Sequence, residues 1–138
     1  MPKDTSDPST QNTDPPAYVA ALDASPVVQR ALGKVPAESP KPTKVPLDLI
    51  PLAALVEMAN GLAEGAEKYA PWDYRRTGIK ASVYVGAALR HLVAFGNGET
   101  LDPDSPTGKT HLAGALSSLA ILADAFALGY AEDDRPHE

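Results

Sequence analysis

Ten of the chain's 14 prolines fall at or before Pro51, and that distribution divides what the two parts of the chain can become. Proline removes a backbone donor and clashes with the preceding turn, so no helix runs through a stretch that carries one every few residues. Residues 34–46, KVPAESPKPTKVP, place four prolines among lysines and small polar side chains, which reads as an extended or polyproline linker. Residues 1–16 have almost no apolar side chains and cannot repay the entropy of ordering them. Between the two, PAYVAALDASPVVQRALG (Pro16 to Gly33) holds enough apolar residues for a short helix or two, interrupted at Asp23, Ser25 and Pro26. Residues 1–46 are therefore expected to be a disordered, proline-rich, largely extended arm.

Beyond Pro51 the period changes. Leu52, Leu55, Ala59, Leu62, Ala66 and Tyr69 recur every three or four residues, predicting a first core helix from about Pro51 to Tyr69. Pro71, Asp73 and Gly78 mark a loop. Ala81, Val85, Ala88, Leu89, Leu92 and Phe95 form a second stripe that stops at Gly96-Asn97-Gly98. After a polar loop from Glu99 to Lys109, Leu112, Ala115, Leu116, Leu119, Ile121, Leu122, Ala125 and Phe126 cover a wide arc of a third helix, which should be the most buried. The expected fold is all-α, a small bundle of about three core helices over residues 47–130, with an acidic tail over 131–138. A bundle this small buries little apolar surface alone, so a homo-oligomer is expected.

The chain contains no cysteine, so any metal must be held by carboxylates and imidazoles, with hard divalent cations such as Mg²⁺ or Mn²⁺ leading. The net charge of −6 argues against a nucleic-acid polymer as partner. No apolar h-region or membrane-crossing run opens the chain, so the expected location is cytoplasmic, without a membrane.

Chemistry-bearing residues concentrate between Glu57 and His111. Glu57 and Glu64, seven residues apart, share a helix face, with Glu67 beside it; a solvated face with a Glu64–Lys68 pair accounts for them equally simply. His91 lies at the edge of the second stripe, and Glu99, Asp102 and Asp104 follow before His111 opens the next helix. That run supplies metal ligands, or merely turn and cap residues. Arg75, Arg76, Lys80, Arg90 and Lys109, beside Tyr69, Trp72 and Tyr74, offer charge for phosphates and rings for a base. Gly108-Lys109-Thr110 lacks the strand and first glycine of a phosphate-binding P-loop.

Several of these residues also recur in a familiar order: Leu49-Ile50-Pro51, then Gly65 to Tyr69 (GAEKY) followed by Pro71-Trp72, Ala88 to His91 (ALRH), Gly98-Glu99 with Asp102, and His111-Leu112-Ala113. From Val45 to Phe126 the chain resembles the phage and bacterial dATP/dGTP diphosphohydrolases, akin to MazG-type all-α pyrophosphohydrolases. The resemblance implies Mg²⁺- or Mn²⁺-assisted hydrolysis of a purine deoxynucleoside triphosphate to the monophosphate and pyrophosphate. Carried over residue by residue, it points to Glu64, Lys68, Tyr69, Trp72, Arg90, His91, Glu99, Asp102 and His111. Joined to the charged residues read above, the expected site has Glu64, Glu67 and His91 as catalytic groups, with Lys68, Tyr69, Trp72, Arg76, Arg90, Lys109 and His111 on the substrate. Glu57, Glu64, Glu99 and Asp102 would face the metal. The chain departs from the family pattern at Asp73-Tyr74, Gly114 and Ser118, where Asn-Trp, a second histidine and an asparagine are expected. Those departures leave two other readings open, a nucleotide-binding protein without hydrolysis and a structural helical protein.

Overall fold

The computed structural model describes residues 47–137, and the expectations for the N-terminal arm and its short helix lie outside the described residues. A single 3₁₀ turn, Leu47–Leu49, leads into α1 (Leu52–Tyr69), followed by a short α2 (Asp73–Thr77). Strand β1 (Ile79–Lys80) runs directly into α3 (Ala81–Gly96), and α4 (His111–Leu128) precedes β2 (Ala131–Glu132). The architecture is all-α, with the three long helices where the apolar periodicity puts them. The interval read as a plain loop after Tyr69 contains the short α2.

Each boundary has a local cause. Pro71 disfavours helix at the residue before it, and α1 ends there, with Ala70 at φ 93° and Trp72 at φ 62°. The Thr110 hydroxyl accepts from the Ala113 amide at 3.0 Å and caps α4. Gly129, left-handed at φ 79°, closes it, and the Tyr130 amide reaches back to the Ala125 carbonyl at 2.8 Å.

α4 is the helix on which both α1 and α3 pack, and most of the buried residues belong to it. By length and composition it is also apolar enough to cross a bilayer, and seven of its 18 residues are buried in the bundle. The buried core is made almost wholly of small side chains, Ala81, Ala88, Ala113, Ala115 and Ala125 with Ile79 and Leu128. At the α1–α4 crossing, Gly61 lies against the Ala113 carbonyl and Ser117.

Here the outcome differs from the expected packing. α1 turns its Glu57–Gly61–Glu64 face toward α4 and the loop before it. The Leu52 and Leu55 stripe, expected in the core, is exposed, as are Leu89, Leu92 and Phe95 of α3. The small residues permit the closest helix approach, and on α1 it is the Gly61 face that meets α4.

The residues read as an acidic tail pack against the start of α3. β2 pairs in parallel with β1, Ile79 opposite Ala131 and Lys80 opposite Glu132. Asp134 then accepts the Ser82 amide at 2.8 Å and the Ser82 hydroxyl at 2.5 Å, which satisfies an open donor in the first turn of α3.

Candidate active site

The loop from Asn97 to Thr110 is a built structure. Leu101 bridges to Thr110 in antiparallel fashion, the His111 amide donates to Thr100, and the Asp102 amide donates to Lys109. Inside this closure Asp102 accepts the Asp104 amide at 3.0 Å, the side-chain turn that its sequence suggests. Turn chemistry and ligand chemistry therefore meet in one residue.

Lys109 sits at the centre. Its ammonium donates to Glu64 at 2.5 Å and to Asp102 at 3.2 Å, and all three side chains are at least 85% buried. Ser105 and Thr107 also donate to Glu64, at 2.5 and 2.6 Å. Glu64 thus pairs with Lys109 across 45 residues instead of with Lys68 along its own helix, which removes the solvated-face alternative. Two turns earlier on α1, Glu57 accepts the Thr110 hydroxyl at 2.7 Å, so the α4 cap is itself anchored to α1.

Burial pushes the Glu64 carboxyl up, but the bonds from Lys109, Ser105 and Thr107 outweigh it and hold the group at about 2 instead of 4.5. A carboxyl lowered on folding contributes stability above its unfolded value and loses it as pH falls toward the folded one. The shift corresponds to about 3 kcal/mol. In urea titrations, wild-type stability should drop between about pH 4.5 and 2, more steeply than that of Glu64→Gln, which lacks this proton uptake. Parallel profiles for the two proteins would show that Glu64 is not held in this way.

Beyond Asp102 lie the histidines. The Nδ1 atoms of His91 and His111 are 3.0 Å apart, and one donor atom from each of His91, Asp102 and His111 lies within 4.8 Å of the others. His111 is almost fully buried, and its Nε2 has no hydrogen-bond partner, the nearest acid being Glu99 Oε2 at 3.6 Å. The His91 ring fits because position 114 is glycine. A Cβ there would stand 2.4 Å from Nε2, so the residue that departs from the family pattern makes room for the His91 ring. Gly114→Ala should rotate His91 away from His111 at a stability cost of about 1 kcal/mol, since a side chain yields more readily than backbone; imidazole NMR shifts of His91 identical to wild type would refute this.

The other expected residues are mostly exposed. Glu64, Glu67 and Lys68, with Asp104 and Pro106, line an open depression of about 370 Å³. Glu67 is exposed and carries no hydrogen bond or ion pair among the described residues. Tyr69 and Trp72 are roughly 60% exposed, with Lys68 over the Tyr69 ring at 5.0 Å. Arg90 is exposed along α3 beside Gly86, and Arg76 is engaged with Asp73 at 2.6 Å. Direct bonds join Glu64, Lys109 and Asp102, and Asp102 brings that chain to within 4.8 Å of the histidine nitrogens.

One cluster escaped the sequence reading. Asp124 takes a two-pronged bond from Arg75 at 2.9 Å on each arm and the Tyr74 hydroxyl at 2.6 Å, while the Arg75 guanidinium lies 4.3 Å over the Trp72 ring. Burial, then the adjacent Asp124 carboxylate, push the Tyr74 hydroxyl up to about 12. The signal was present: Asp124 is the only carboxylate in an otherwise apolar helix, and such a group needs a partner.

A family model described as dATP/dGTP diphosphohydrolase, N-terminal, matches residues 34–135. The chain belongs to this family. The match takes in the dATP/dGTP diphosphohydrolase segment that carries every site residue described above, from Glu57 to His111. Comparison with curated proteins and with solved structures returns no match.

Proposed function

We propose that the protein hydrolyses a purine deoxynucleoside triphosphate, dATP or dGTP, to the monophosphate and pyrophosphate with the help of a divalent cation. The observation that carries this reading is the convergence, inside the matched diphosphohydrolase segment, of Glu64, Lys109, Asp102, His91 and His111 beside an open depression. The depression's volume is within the range of small-molecule sites.

Water adds across the α–β phosphoanhydride, and monophosphate, pyrophosphate and one proton result. Glu67, exposed in the depression and without a hydrogen-bond or ion-pair partner among the described residues, accepts the proton from the attacking water in this reading. Lys68 and Arg90 take phosphate charge, and the exposed faces of Tyr69 and Trp72 receive the base by stacking. Lys109 is committed to Glu64 and Asp102, so it holds those carboxylates in position more than it reaches for phosphate. Carboxylates and imidazoles for the expected Mg²⁺ or Mn²⁺ occur in one neighbourhood. Such an ion, when bound, neutralises phosphate charge and lowers the pKa of a coordinated water.

Incubation with each of the four dNTPs and Mn²⁺ or Mg²⁺, with products resolved by chromatography, tests the proposal. Monophosphate with equimolar pyrophosphate from a purine substrate, lost in Glu67→Gln, is the expected result. Triphosphate recovered intact from a protein that it nonetheless stabilises against heat would make this a binding protein. The glycine at position 114, where the family pattern has histidine, favours that second reading.

The active form is assigned to a homo-oligomer. Leu52, Val56, Leu89, Val93 and Phe95 are between 41% and 73% exposed, far more apolar surface on two helices than a small monomer normally leaves in water. Light scattering coupled to size exclusion should give two or more times 14.4 kDa. A monomer mass across micromolar concentrations would sink the assignment.

A further inference from the structure

We propose that His91, Asp102 and His111 together ligate a transition-metal ion, two imidazole nitrogens and one carboxylate oxygen forming a site that prefers Mn²⁺, Co²⁺ or Zn²⁺ to Mg²⁺. The inference takes from the hydrolytic reading only that a divalent cation belongs here; it assigns the ion to histidines instead of to the carboxylate set that the family pattern suggests.

The carboxylate set has other engagements. Glu64 accepts three donors, one of them the Lys109 ammonium. Glu57 accepts Thr110, and Glu99 is 58% exposed above His111. An ion bound among Glu57, Glu64, Glu99 and Asp102 would have to displace a buried ammonium already between two of them. The lysine supplies there the positive charge that those acids need.

The histidines offer what the acids do not. Two ligand nitrogens, each about 2.1 Å from one ion and at right angles, stand about 3.0 Å apart, which matches the observed Nδ1–Nδ1 separation of 3.0 Å. Asp102 supplies the third donor within 4.8 Å. It retains lone pairs for an ion after bonding the Asp104 amide and Lys109. The buried His111 ring has Nε2 without a hydrogen-bond partner and Glu99 Oε2 at 3.6 Å, a small movement away from the carboxylate–histidine–metal arrangement in which the second ring nitrogen donates to an acid. Imidazole ligands suit borderline metals, whereas Mg²⁺ demands oxygen. The competing account is a simple hydrogen bond between the two rings.

The full chain, stripped with chelator, is loaded with one equivalent of Mn²⁺ and studied by pulsed electron paramagnetic resonance, with Co²⁺ absorption and Mg²⁺ competition alongside. The expected results are ¹⁴N couplings from two imidazoles, visible Co²⁺ bands, and Mn²⁺ affinity at least tenfold above that of Mg²⁺. His91→Gln, on a half-buried position, should weaken Mn²⁺ binding on the order of a hundredfold, and the wild-type spectrum decides the matter even if that variant fails to fold. A Mn²⁺ spectrum without nitrogen coupling, equal affinity for Mg²⁺, or no binding of any of these ions overturns the site. Nitrogen ligation without triphosphate hydrolysis keeps the site and removes the hydrolytic reading; hydrolysis without nitrogen ligation does the reverse.

Discussion

Asp102→Asn should reduce turnover of dATP or dGTP at least about a hundredfold while the protein stays folded. The carboxylate is where the two halves of the site meet. It accepts Lys109 at 3.2 Å and the Asp104 amide at 3.0 Å, and it is the one oxygen donor grouped with both histidines. Asparagine keeps the side chain's shape and its bond to the Asp104 amide, but it loses the charge that attracts a cation. Removing an interaction that matters most as charge develops in the transition state is worth roughly 3 kcal/mol or more. The stability loss is smaller, about 1–2 kcal/mol, because Lys109 keeps Glu64. Steady-state kinetics beside urea unfolding separate the two effects. Turnover within threefold of wild type would take Asp102 out of the chemistry.

A large stability effect should come from Gly61→Ala, at a residue that touches no proposed substrate group. An added Cβ would stand 2.4 Å from the Ala113 carbonyl oxygen and 2.5 Å from Ser117 Oγ. Backbone cannot rotate out of the way, so α1 must lift off α4. Overpacking of this kind costs about 3 kcal/mol, and the better helix propensity of alanine returns up to about 1. The net loss of about 2 kcal/mol lowers the melting temperature by roughly 8–16 °C in a domain of this size. Because Glu57 and Glu64 flank Gly61 on the same face and reach Thr110 and Lys109, the variant should also lose activity. A melting temperature within 2 °C of wild type would mean that the helices do not meet at this glycine.

Both effects depend on which face of α1 is inside. A polar stripe, Glu57 with Glu64, faces the protein, and an apolar stripe, Leu52 with Leu55 and Val56, faces out. Such an inversion is stable where the polar groups are paired at home and the apolar ones are covered by another copy. The proposed oligomer and the buried carboxylates would thus share one structural cause.

The sequence by itself determined the three long helices, because helix periodicity, Pro71 and Gly96 to Gly98 all act within a few residues of chain. The order of Glu64, Lys68, Arg90, His91, Glu99, Asp102 and His111 was equally legible as a linear pattern. Tertiary structure alone decided which of these groups touch. Glu64 meets Lys109 and Arg75 meets Asp124 across more than 40 residues, His91 lies against Gly114, and β2 returns to β1. No local period encodes such contacts: they follow from the rotation of α1 about its axis, and that is set by where Gly61 permits the closest approach to α4.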